Sequence, residues 1–147
     1  MKVLPLALAV AAAAAAGAAH AEIRVTEGWS RPAGAGFTGV GYLTIANTDR
    51  APVALIGVES AVAARTEIHR TTVTNGVSRM SAEPRVVIPA GGRVVFQPNG
   101  RHLMLIGLKQ PLNIGGRVPV TLRFEGGRSA TGQLEVRAGA APARGRH

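Results

Sequence analysis

From residue 22 to residue 137 no window of a dozen residues keeps a helical apolar period. Short runs of alternating, β-branched residues take its place, at 23–26, 37–47, 52–58, 67–73, 77–80, 86–88, 94–97, 102–108, 118–124 and 131–136. Turn signals separate them: Asn47-Thr48-Asp49, Asn75-Gly76, Ala90-Gly91-Gly92, Pro98-Asn99-Gly100, Gly115-Gly116 and Gly126-Gly127. Strands this short and regular predict an antiparallel β-sandwich or β-barrel. The 147 residues allow one domain with one core, and no internal repeat is present.

The two ends read differently. Met1-Lys2, an uncharged apolar run to Ala19 and the small-x-small step Ala19-His20-Ala21 have the three parts of a secretory signal peptide. The expected organisation is a signal peptide at 1–21, a β domain at 22–138 and a flexible tail at 139–147. A retained anchor is the competing reading, but an alanine-rich run of this length is a weak one. The mature chain is expected outside the cytoplasm, with no membrane span after cleavage.

Composition then removes whole classes of function. With no cysteine, disulfide scaffolds, thiolate zinc sites, iron–sulfur clusters, cysteine nucleophiles and blue copper are excluded. Asp49 is the sole aspartate and falls in a turn, so no Ser-His-Asp arrangement assembles. No phosphate loop or paired-carboxylate site is visible either, and the chain reads as a non-enzyme. The formal charge of +9 is spread along the chain without forming a run. That describes a solvated basic surface rather than a nucleic-acid groove.

What chemistry remains lies in a few side chains. Beyond the leader the chain holds two methionines, Met80 and Met104, and three histidines, His69, His102 and His147. Taken singly, a methionine fills a core and a histidine is an ordinary hydrogen-bonding group. Together four of them form two pairs. A two-residue turn at Asn75-Gly76 sets Thr71 opposite Met80, which places His69 diagonally across from Met80 on the same face. His102 and Met104, two apart on a strand, also share a face, while Leu103 and Leu105 point to the core. If the two elements meet, the product is a His₂Met₂ cluster. Neutral thioether and imidazole donors suit Cu(I), whereas zinc favours thiolate or carboxylate and calcium or magnesium favours oxygen. Glu67 shares the face of His69, where it either orients the imidazole or is a plain exposed carboxylate. Trp29 and Tyr42 are expected to be packing residues.

The spacing His69, ten residues, Met80, twenty-one residues, His102-x-Met104 resembles the HX₁₀MX₂₁HXM motif of the PCu(A)C family of periplasmic copper chaperones. EIH at 67–69, NGVSRM at 75–80, IPAGG at 88–92, HLMLIGLKQPL at 102–112 and the stretch from Trp29 to Asn47 match its frame. The resemblance implies a cupredoxin-like Greek-key β-barrel with one Cu(I) per monomer on His69, Met80, His102 and Met104. It further implies delivery to the Cu(A)-bearing subunit of cytochrome c oxidase, alongside Sco-type proteins. Two departures stand out. Arg70 occupies a position that is methionine in some members, and the tail offers only His147 where others carry a His/Met-rich Cu(II) extension. The mature N-terminus, Glu22-Ile23-Arg24, also lacks a third-position histidine, so the resemblance does not carry over a second, Cu(II) site. Two other functions share this sequence: copper sequestration at the same site, and a metal-free β-sandwich interaction module.

Overall fold

The computed structural model describes residues 22–139, so the leader and all but the first residue of the tail lie outside the described residues. Ten strands follow one another: β1 (Ile23–Ser30), β2 (Gly39–Asn47), β3 (Val53–Glu59), β4 (Ala63–Thr74), β5 (Val77–Ala82), β6 (Val86–Ile88), β7 (Arg93–Val95), β8 (Arg101–Leu108), β9 (Arg117–Phe124) and β10 (Ser129–Val136). A single 3₁₀ turn, Glu125–Gly127, joins the last two. Among the described residues no helix is long and apolar enough to cross a membrane.

The strands close into a barrel in the order β4-β8-β2-β1-β10-β9-β3, and a contact between Val58 and Thr66 returns β3 to β4. Strand β5 flanks β4, β6 flanks β3 and β7 adds to β2. This is a cupredoxin-like β fold. Alternation along each strand fills the interior. On β9, Val118, Val120, Leu122 and Phe124 point inward while Arg117, Pro119 and Arg123 face solvent. Leu43, Ile45, Leu55, Leu103, Leu105 and Leu134 complete a core that is closed to water. Burying such a side chain contributes about 1.5–3 kcal/mol.

Two features depart from the antiparallel expectation. The first and last strands, β1 and β10, pair in parallel through Trp29 with Glu135 and Ser30 with Val136. No turn connects strands so far apart in the chain, so no local signal announced the pairing. The second is a bulge in β1 between Thr26 and Trp29, with Glu27 at φ 54°. A side chain at Gly28 would run into the carbonyl oxygen of Gln133, so only glycine lets β1 approach β10 there. The bulge also changes the side to which β1 presents its residues. Val25, paired with Ile45, packs on the core, whereas Trp29, paired with Tyr42, lies on the outer face.

Candidate metal centre

The site forms on the outer face of three neighbouring strands, β5, β4 and β8. The Asn75-Gly76 turn has both residues at positive φ, 52° and 75°, as a type I′ hairpin requires. The resulting register pairs Thr74 with Val77 and Thr71 with Met80, as the sequence implied. His69 pairs with Ala82 and therefore sits diagonally from Met80 on one face. Strands β4 and β8 are directly adjacent, and their register sets His69 opposite His102 and Glu67 opposite Met104. The two elements of the sequence argument thus meet edge to edge. Leu103 and Leu105, between and beyond the site residues of β8, are fully buried in the core.

The two imidazoles lie with ring centroids 6.0 Å apart and planes tilted by 53°. Each has one nitrogen committed and one without a partner. In His69, Nε2 is 2.8 Å from Glu67 Oε2. In His102, Nδ1 is 3.0 Å from the carbonyl oxygen of Gly100. A carboxylate and a carbonyl only accept, so both of these nitrogens carry the proton and donate it. The remaining nitrogens, Nδ1 of His69 and Nε2 of His102, are then bare lone pairs. Both are buried and neither has a hydrogen-bond partner. A buried polar atom normally finds a partner, and two such orphans on facing rings call for an acceptor of lone pairs.

Glu67 is no idle surface carboxylate. The hydrogen bond from His69 holds its carboxyl below the usual carboxylate range, desolvation opposes that effect, and Arg65 at 3.2 Å adds to the lowering. On the neighbouring side, Met80, His102 and Met104 line an open pocket of about 220 Å³ together with Val40, Tyr42 and Arg31. His69 lies beside this pocket rather than in its lining. His102 is only 5% exposed, but Met80, on an edge strand exposed along its whole length, is 56% exposed. Trp29 and Tyr42 are buried and stacked at 4.6 Å, with Arg31 and Arg137 over the indole. They pack as expected, but outside the barrel core, where Tyr42 walls the pocket.

Sequence reasoning named His69, Met80, His102 and Met104, which the sheet brings onto one outer face, left the role of Glu67 open between two readings and missed the partner of His102. The Gly100 carbonyl is invisible to it, because any residue supplies a carbonyl; this one follows a bend at Asn99, φ 65°, and also accepts the Thr71 N–H at 3.1 Å. The Arg101–Glu83 pair, at 2.8 and 3.1 Å, was also missed; it ties the segment after β5 to the start of β8. Among the described residues no three His, Cys, Asp or Glu side chains group so as to hold a metal ion. The side chains gathered here are two imidazoles and two thioethers, neutral groups of which the thioethers are soft. His147 lies outside the described residues.

Comparison with known proteins agrees with this architecture. Residues 23–136 match the family model "Putative lipoprotein LpqE-like". "Putative lipoprotein Lxx21020" of Leifsonia xyli subsp. xyli (strain CTCB07) is 34% identical over 116 residues, covering 78% of this chain and 69% of the relative. Among solved structures, the copper-bound PCuAC domain from PmoF2 superposes with a TM-score of 0.65 at 26% identity, over 79% of this chain and 92% of that domain. The Cu(I) form of DR1885 from Deinococcus radiodurans superposes with a TM-score of 0.61 at 31% identity, over 82% of each chain.

Proposed function

Because this chain belongs to the LpqE-like family and is a PCuAC-type protein, we propose that it is a copper carrier of the cell envelope. It binds one Cu(I) per monomer through His69, Met80, His102 and Met104, acts without catalysis, and delivers the ion to the Cu(A)-bearing subunit of cytochrome c oxidase. Sco-type proteins are its expected companions in that delivery. Its working compartment is the periplasm, a placement supported by the lipoprotein description of the family and by the leader-like residues 1–21.

One observation carries the reading. Two facing imidazoles each hold a buried, unpartnered nitrogen, and one of them, His102, lines a pocket together with both thioethers. Water or zinc would leave the sulfurs without a role; Cu(I) uses all four donors. When bound, the ion is held by neutral ligands only and keeps its charge, so a thiolate acceptor competes well for it. The exposure of Met80 supports carriage over sequestration, because an incoming ligand reaches this sulfur without unfolding the barrel. The test is a Cu(I) titration of purified protein against a chelator of known affinity, followed by incubation with an oxidase Cu(A) domain. One equivalent bound and passed on is the expected result. No stoichiometric binding rejects the copper site, and tight binding without transfer rejects the carrier role.

A further inference from the structure

We propose that Glu67 is the positioning residue that selects which nitrogen of His69 meets the metal, so that the two histidines ligate through different atoms, Nδ1 of His69 and Nε2 of His102. The inference rests on the copper-site reading above. Its basis is the chemistry of the two committed nitrogens. The two ring nitrogens of a neutral histidine compete for one proton, so a side chain without a fixed partner samples both tautomers. His69 Nε2 is 2.8 Å from Glu67 Oε2, and a carboxylate can only accept there. The proton is thereby pinned on Nε2, and Nδ1, buried and without a partner, is left as the sole lone pair of the ring. His102 is pinned the opposite way. Its Nδ1–H donates to the Gly100 carbonyl and frees Nε2.

The asymmetry follows from the sheet. His69 and His102 are register partners on antiparallel strands, with ring centroids only 6.0 Å apart. Partners come from opposite directions along the two strands. Glu67 lies two residues before His69 in the middle of the sheet, and Gly100 lies two before His102 in the turn at its edge. Glu67 is in turn paired with Arg65, 3.2 Å from its other oxygen, so both carboxylate oxygens have a partner. A carboxylate on a ligating imidazole also raises the basicity of the coordinating nitrogen, and loss of such a partner typically weakens metal binding by about 10–100-fold. Glu67 touches no metal itself; it acts through His69.

The experiment is long-range ¹⁵N–¹H correlation of the imidazoles in the full chain, combined with Cu(I) affinity, on wild type, Glu67→Gln and Glu67→Ala. In the wild-type apo protein His69 is expected as a pure Nε2–H tautomer and His102 as Nδ1–H. Cu(I) should then move the ¹⁵N resonances of His69 Nδ1 and His102 Nε2. Glutamine keeps an accepting oxygen and should keep the tautomer, with affinity within a few-fold of wild type. Alanine should give a mixed His69 tautomer and at least about tenfold weaker Cu(I) binding. Glu67 is partly exposed, so neither change should alter the apo melting curve much. An Nδ1–H tautomer at His69 in the wild type, or an alanine variant with wild-type tautomer and affinity, overturns the proposal. If the apo tautomers are as described but wild type binds no Cu(I), the copper reading falls and the metal-selecting role of Glu67 falls with it. If wild type binds Cu(I) and His69 Nδ1 is unmoved, only the assignment of Glu67 fails.

Discussion

A thioether and an isobutyl group fill nearly the same volume, which lets packing and ligation be separated at a single residue. Met80 is mostly exposed and Met104 sits on the outer face opposite Glu67, away from the core formed by Leu103 and Leu105. Met80→Leu and Met104→Leu should therefore each change apo stability by less than about 1.5 kcal/mol, as volume-conserving swaps do. Each should nonetheless weaken Cu(I) binding by an order of magnitude or more, because the sulfur is gone. Thermal melting and chelator competition on the same proteins read the two quantities. Wild-type affinity in both variants would mean that the methionines only pack. The residue scale is also where the sequence was most legible. His69, Met80, His102 and Met104 are scarce residue types at a spacing that strand geometry converts into shared faces. The roles of Glu67 and Gly100 were less so. One stood open between two readings, and the other acts through a backbone atom common to every residue.

Strands β4 and β5 form a hairpin whose outer half stands clear of the barrel, since β8 pairs with β4 only as far as Arg70. Every residue of β5 is exposed, so this arm depends on its turn and its ladder rather than on burial. Gly76 at φ 75° is the weak point. A valine there costs about 1–2 kcal/mol in a conformation that β-branched residues avoid. Gly76→Val should fray the arm, accelerate amide exchange in residues 72–79 and lower Cu(I) affinity, because Met80 is no longer held opposite Thr71. The barrel should melt as before, since its closure does not involve β5. Unchanged copper affinity in this variant would show that Met80 does not need the turn. All ten strands were readable from periodicity and turn residues, and the hairpin register came out residue for residue. What escaped was long-range or locally silent. The β4–β8 pairing that brings the histidines together leaves no turn mark, and neither does the parallel β1–β10 pair. The first residues of β4, Ala63 to Thr66, are small or polar and carry no strand signature, while the bulge that turns Trp29 outward shows only as Glu27-Gly28.

Across the whole molecule the excess of positive charge makes the few carboxylates matter to stability. Asp49 is held below its ordinary value of 3.8 first by the backbone N–H of Arg50, with Arg128 contributing at 3.2 Å. Glu125 is held below 4.5 by its hydrogen bonds with Arg85, at 2.7 and 3.1 Å, which link residues forty apart in the chain. Both groups bind a proton less readily when folded than when unfolded. Their contribution to stability is therefore fully present above those ordinary values and is lost as pH falls through the lower folded ones. Protonation also raises a net charge that already stands at +9, adding self-repulsion in the same direction. The melting temperature of the apo protein should thus hold steady near neutrality and fall progressively below about pH 4.5. The double variant Asp49→Asn, Glu125→Gln should have a lower melting temperature at neutral pH and a flatter acid profile, because two of the three carboxylates held below their ordinary values are gone and only Glu67 remains. A profile parallel to wild type would mean that these two pairs contribute nothing to acid sensitivity and that general repulsion governs it. The two carboxylates are not among the residues that line the pocket or touch the imidazoles. Cu(I) affinity of the double variant at neutral pH should consequently equal that of wild type, which separates loss of the fold in acid from loss of the metal.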